Sequence, residues 1–237
     1  MKAELSRERR AAVHAALGDP VRLSIVDMLA LTDASPSELG GDLGMPSNLL
    51  AHHLGVLQDA GVIIRGKSEA DRRRAYVQLS PDVLGFVTAA APRDVPRVVF
   101  VCIQNSARSQ LAAVLWASRA DVPVASAGTR PAPHVHPRAV AVARRHGLEL
   151  RHARTAHVRD VVRPDDLVVA VCDRAYEELS GDGSVQLHWS IPDPARSSTA
   201  DAFERAFNSL DERINRLAGA LGNQQLATEG TSWPSPT

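Results

Sequence analysis

Over the first ninety residues the apolar positions recur at three- and four-residue spacing, the mark of helices that bury one face. The stretch "GDPVRLSIVDMLAL" offers Asp19 as N-cap and Pro20 at the first helical position, with Leu23, Val26, Leu29 and Ala30 on one stripe. "SPSELGGDL" repeats that start at Ser35 and Pro36, and Glu38 is placed to complete a capping box. "PSNLLAHHLGVLQDAG" turns Leu50, Leu54 and Leu57 inward and ends at Gly61, a residue type that closes helices in the left-handed conformation. The period then falls to two in "VIIRGK" and "AYVQLS", which read as a hairpin around a charged loop, and "SPDVLGFVTAA" predicts a further helix from Ser80. Helix, short helix, turn, helix and hairpin is the order of a mostly α winged helix-turn-helix.

From residue 97 the pattern changes. Short continuous apolar runs, "RVVFVC", "VPVASAG" and "DDLVVAVC", alternate with helical stretches, "RSQLAAVLWASRA", "HPRAVAVARRHG" and "TADAFERAFNSLDERINRLAGAL". Alternating strands and helices with apolar strands imply an α/β, three-layer parallel sheet covered on both faces. The Ala/Pro stretch "AAAPRDVPR" separates the halves, which gives domains at 1–92 and 97–221 and an aperiodic tail at 222–237 expected to be disordered.

Composition narrows the class. With 44% hydrophobic and 23% charged residues the chain is an ordinary globular protein, and it has no apolar run near the ~20 residues a membrane helix needs. The charged start "MKAELSRERR" lacks the apolar core of a secretory signal, so a cytoplasmic, membrane-free protein is expected. Two cysteines far apart exclude a disulfide scaffold and a four-thiolate zinc site. No metal is expected, since His134 and His136 have no third ligand. Residues 1–92 hold ten basic against eleven acidic side chains, so affinity for DNA phosphate rests on local charge at Arg65, Lys67, Arg72, Arg73 and Arg74.

The chemistry concentrates in "CIQNSARS", residues 102–109. Cys102 ends a strand at the sheet edge where α/β folds bind ligands. The following loop, Gln104, Asn105, Ser106 and Ala107, turns backbone N–H groups inward ahead of a helix N-terminus, which makes an anion nest and favours a nucleophilic thiolate. Arg108 can grip a tetrahedral oxyanion through two N–H groups, and Asn105 and Ser109 are placed to brace the loop and hydrogen-bond the sulfur. Phosphate and its near-isostere arsenate suit such a site.

Two resemblances follow from these motifs. "MPSNLLAHHLGVLQDAGVIIRGKSEADRRRAYVQLS" resembles the second helix and wing of the ArsR-type repressor family. It implies that Ser47, Asn48, Ala51, His52 and His53 enter the major groove of a double-stranded operator, that Arg72, Arg73 and Arg74 touch phosphate, and that the protein is a homodimer. The thiolates with which arsenic-sensing members hold their effector are missing. The "CIQNSARS" loop, "SAGT" at 126–129 and "HWSIPDPA" at 188–195 together resemble the low-molecular-weight protein tyrosine phosphatase superfamily in its arsenate reductase branch. That resemblance implies Cys102 as nucleophile, Arg108 as clamp and Asp193 as acid. Gln104 departs from a common loop glycine, and Ala107 replaces a second loop cysteine. Reduction of arsenate also needs a second thiol. Cys172 stands where thioredoxin-coupled relatives keep one, while their third falls near Leu179 and is absent. No bound cofactor is implied, only an external thiol reductant, a redoxin or a small thiol. Three activities stay open at this point: arsenate reductase fused to a regulator, a regulator whose pocket senses arsenate, phosphate or redox state, and a phosphatase. A packing residue is the alternative reading of Cys172.

Overall fold

In the computed structural model, which describes residues 6–81, 83, 95–150, 153–197 and 199–229, the first half opens with α1 (Arg7–Leu17) and α2 (Pro20–Leu29). The pair α3 (Pro36–Asp42) and α4 (Ser47–Asp59) follows, then β1 (Ile63–Lys67) and β2 (Ala75–Leu79) as an antiparallel hairpin. The punctuation works as its chemistry requires. Asp19 accepts from the Arg22 amide, Ser35 and Glu38 form a reciprocal capping box, and Gly61 takes φ 67° after α4. Leu50, Leu54 and Leu57 join Val13, Ile25, Val26, Leu29 and Leu39 in one core.

Leu23 does not join it and is 44% exposed. The buried arc of α2 is centred on Ile25, Val26 and Leu29, and Leu23 lies roughly 110° of helical rotation from its middle. The helix predicted from Ser80 falls largely outside the described residues.

The second half runs β3 (Val98–Cys102), α5 (Arg108–Ala117), β4 (Val124–Gly128), α6 (Pro137–Arg145), α7 (Val158–Val161), β5 (Leu167–Ala170), α8 (Asp173–Leu179), β6 (Leu187–His188), α9 (Pro194–Ser197) and α10 (Ala200–Glu229). The four strands are parallel, in the order β4-β3-β5-β6. All five residues of β3 are buried, so both faces of the sheet are covered. Phe100 lies within aromatic contact of Trp116 and Trp189, which spread its packing beyond the aliphatic side chains. The chain leaves β3 for β4 on one side and crosses to β5 on the other. The carboxyl ends of β3 and β5 therefore form the switch-point crevice, and Cys102 and Cys172 sit there.

α10 continues to Glu229 instead of stopping at residue 221, which corrects the expected tail over 222–229. Gln224, Gln225, Leu226, Ala227 and Glu229 are good helix formers and carry the helix past the ~1 kcal/mol cost of Gly222. Residues 230–237 lie outside the described residues. Among the described residues no helix is long and apolar enough to cross a membrane.

The halves are joined by a polar seam that nothing in the separate sequence patterns announces. The Trp189 indole N–H donates to the Leu31 carbonyl (2.7 Å), the His188 amide donates to the Thr32 hydroxyl (2.8 Å), and the Asp33 amide donates to the His188 carbonyl (2.6 Å). His188 is buried between Tyr76 of the wing and Tyr176 of α8, at ring separations of 4.4 and 4.3 Å. Tyr176 donates to Glu38 of α3 (2.8 Å), and Ser68 of the hairpin loop donates to Glu177 of α8 (2.7 Å).

Candidate active site

The loop after β3 is held from outside. The amides of Thr129, Arg130, Ala132 and His136 donate to the carbonyls of Cys102, Ile103, Gln104 and Ser106. In a trans peptide the next N–H points opposite to the carbonyl before it. Anchoring four carbonyls outward thus turns the following amides toward the cavity that Cys102, Ile103, Gln104, Ser106, Ala107 and Arg108 line. The "SAGT" stretch contributes its glycine sterically: a Cβ on Gly128 would sit 2.6 Å from the Ile103 carbonyl oxygen and 2.9 Å from the Asn105 nitrogen. Gly128→Ala is expected to push this loop out of shape and lower oxyanion turnover by about 10²-fold, the penalty of misplacing reacting groups by about an ångström. Assaying that variant beside its thermal unfolding separates loop distortion from general collapse.

Asn105 is the loop's pivot. It adopts φ 48°, the left-handed region that asparagine tolerates better than most residues. All four of its side-chain bonds are made: its amide nitrogen donates to Ser109 (2.8 Å) and Ser126 (2.9 Å), and its oxygen accepts from Gln110 (3.2 Å) and the Ala156 amide (2.9 Å). Because Ser109 accepts from Asn105, its own hydroxyl proton is free to point at the Cys102 sulfur, 3.1 Å away. Ser109 thus contacts the sulfur, whereas Asn105 acts one bond removed from it.

Arg108 is the first residue of α5 and its side chain is 7% exposed. Its guanidinium donates to the Ile191 carbonyl (2.9 Å) and lies 3.1 Å from Asp193. Burial works against its charge, but Cys172, Cys102, Asp193 and Glu69 around it hold its pKa above the ordinary arginine value. Asp193 stands where the chain enters α9, with Pro194 next and the Ala195 amide on its carboxylate (3.1 Å). Cys172 precedes α8 and lines the same cavity as Cys102. Burial pushes its thiol up to about 11, opposed by Arg108 and by amide hydrogen bonds from Ala175 and Ile103.

Gln104 and Ser106 line the mouth, with the Ser106 hydroxyl 3.5 Å from the Gln104 side-chain oxygen, and Ala107 closes the loop before α5. The structure adds Glu69, Asp173, Arg174 and Arg196 to this cavity. Asp173 and Arg174 follow Cys172 directly, so strand-end logic could have found them. Glu69 comes from the hairpin loop of the first domain and has no sequence signal. His136 caps α6 by accepting from the Arg138 amide and packs against Phe203.

On α4, Ser47, Asn48, Ala51 and His52 are exposed along one face. His53 is buried against α2, 3.7 Å from Asp19, and leaves that face. Neighbouring residues on a helix are separated by 100°, so only one of two adjacent histidines can face outward with Ser47, Asn48 and Ala51. Arg72, Arg73 and Arg74 are exposed in the hairpin loop, with Arg73 bound to Asp71 through two 3.0 Å contacts.

Residues 97–229 match the family model of the low molecular weight phosphotyrosine protein phosphatases, and residues 17–65 match that of a helix-turn-helix domain. Among solved structures, an arsenate reductase from Archaeoglobus fulgidus is 30% identical over 52% of this chain and 98% of its own, with a TM-score of 0.45. A tyrosine phosphatase from Erwinia amylovora is 26% identical over 54% of this chain and 94% of its own, with a TM-score of 0.48. An arginine phosphatase from Geobacillus stearothermophilus is 25% identical over 55% of this chain and 96% of its own, with a TM-score of 0.47. No curated protein matches the chain. The matched span covers the whole parallel sheet, the thiol loop and Asp193, and by it this chain belongs to the low molecular weight phosphotyrosine protein phosphatase family, carrying a helix-turn-helix domain ahead of the phosphatase fold.

Proposed function

We propose that the protein is a DNA-binding regulator whose C-terminal domain reduces arsenate to arsenite. The observation that carries this reading is the second thiol: Cys172 opens on the same cavity as Cys102 and Arg108. Hydrolysis of a phosphate ester through Cys102 needs no second thiol, whereas reduction of arsenate does. In the reaction, the Cys102 thiolate attacks arsenic, an As–S bond forms, and an arsenate oxygen protonated by Asp193 leaves as water. Cys172 then attacks the Cys102 sulfur. The S–S bond forms, the S–As bond breaks, and its electron pair stays on arsenic, which departs as arsenite. An external dithiol redoxin or small thiol returns two electrons to the disulfide. Arg108 and the loop amides neutralise the oxyanion throughout.

Cys172 enters as a thiol at neutral pH, since burial holds it near 11, and it must lose its proton as it attacks. The thiolate fraction grows with pH up to that value, so turnover should rise from pH 7 toward pH 9 wherever this step limits it.

The regulatory half would use Ser47, Asn48, Ala51 and His52 on base edges and the hairpin arginines on phosphate, as a homodimer on a duplex operator in the cytoplasm. A sensor reading draws support from the wing contact to the pocket through Glu69.

Arsenite formation by the full chain, supplied with a redoxin couple, tests the proposal against Cys172→Ala. Loss of at least 100-fold in turnover, with an arsenic adduct accumulating on Cys102, is the expected result. Undiminished turnover in Cys172→Ala would assign that residue to packing, and p-nitrophenyl phosphate hydrolysis without arsenite formation would make the domain a phosphatase.

A further inference from the structure

Glu69 reaches the oxyanion cavity from another domain and is fixed there by its own backbone. Its amide donates to Asp173 (2.7 Å), its carbonyl accepts from Arg196 (3.1 Å), and its carboxylate accepts from the Asp193 amide (2.8 Å). The turn beneath it is braced by Ser68, whose hydroxyl donates to Glu177 and accepts from the amides of Ala70 and Asp71. The carboxylate lies 3.8 Å from the Arg108 guanidinium and 3.8 Å from Arg196. The cavity is lined by three carboxylates, Glu69, Asp173 and Asp193, and three guanidiniums, Arg108, Arg174 and Arg196, and two of those carboxylates, Glu69 and Asp193, face Arg108.

We propose that Glu69, carried into the mouth by the wing, is a specificity-determining residue that admits only a tetrahedral oxyanion bearing a proton. The inference rests on reading the Cys102 loop as an oxyanion site, and it does not depend on whether arsenate is reduced there. An anion held by Arg108 at hydrogen-bond distance brings one oxygen within reach of a carboxylate 3.8 Å from the same guanidinium. If that oxygen carries hydrogen, it donates a charge-assisted bond to Glu69. If it does not, two negative oxygens meet and the contact is repulsive. Phosphate and arsenate retain a proton at neutral pH, and sulfate has none to give. Size acts in the same direction. The cavity of about 190 Å³ is smaller than the ~300–1,000 Å³ of sites for organic ligands, and Glu69 and Arg196 are among the side chains that line it.

Calorimetric titration of the full chain with sodium phosphate and with sodium sulfate, at pH 7 and constant ionic strength, tests this. In the wild type, phosphate should bind at least tenfold more tightly than sulfate. In Glu69→Gln the amide oxygen still accepts from Asp193 N–H, which keeps the wing seated, while the negative charge is gone. Sulfate should then gain roughly tenfold and the preference should fall below about threefold. An unchanged phosphate-to-sulfate ratio in Glu69→Gln overturns the proposal. So does an equal gain for both anions, which would make Glu69 a mere competitor for Arg108. Binding of neither anion to the wild type would remove the oxyanion site itself. Selective phosphate binding without arsenite formation would leave this proposal standing and sink only the reductase reading.

Discussion

Cys102→Ser should abolish arsenate turnover, by on the order of 10⁴-fold or more, while leaving the fold and oxyanion binding in place. The reason lies in what the serine keeps and what it loses. An oxygen at this position can still bond to Ser109, and the loop is still pinned by Asn105 and by the outward carbonyls of residues 102, 103, 104 and 106. Arg108 and the loop amides therefore still receive an anion. The hydroxyl, however, is a far weaker nucleophile than sulfur, and an oxygen bonded to arsenic offers no sulfur for Cys172 to attack. Both halves of the cycle fail from one atom. Arsenite production beside a phosphate titration checks this: turnover above about one per cent of wild type would show that another group is the nucleophile, and lost phosphate binding would show that the loop had collapsed.

The features written locally were legible in the sequence. A Cys-x5-Arg loop between an apolar strand and a helix, the Asp-Pro pair at 193–194, and the caps at Asp19 and Ser35 each depend on residues a few positions apart, and the structure sets the loop between β3 and α5, Asp193 at the same cavity, and the caps at the starts of α2 and α3. The two adjacent histidines show the limit of this. Helical geometry requires His52 and His53 to diverge, but which one turns inward depends on α2, and Asp19 lies beside His53. Glu69 lies further beyond reach. It is one charge among several in "GKSEADRRR", and its partners Asp173 and Asp193 are more than a hundred residues away. Contacts at that separation leave no period and no motif. The arginines of the wing are exposed, while the acidic residue three positions before them enters the Cys102 cavity.

The seam between the halves predicts the second large effect. Asp33, 5% exposed, accepts from Gln78 of the wing (2.6 Å), from the Ser190 amide of the segment leading to Asp193 (2.6 Å), and from Arg213 of α10 at 2.8 and 3.1 Å. One carboxylate thus ties the wing, the segment leading to Asp193 and the last helix. Arg213 is itself nearly buried, and Arg216 beside it is already depressed to about 10, first by burial and then by the Arg213 charge. Asp33→Ala leaves the nearly buried Arg213 guanidinium without its carboxylate partner, a change that costs about 3–5 kcal/mol. For a chain of this length each kcal/mol moves the midpoint by roughly 2–4 °C, so thermal unfolding should fall by about 10 °C. Asp33→Ala combined with Arg213→Met should recover more than half of the loss, because a flexible apolar side chain of similar length fills the site with no charge to bury. The shape of the transition carries a further meaning. A single transition displaced as a whole shows that the helix-turn-helix and phosphatase-fold domains unfold as one body, held by this junction. A phosphatase-fold transition that stays at its wild-type midpoint would show that Asp33 does not hold Arg213 and that the halves are thermodynamically separate.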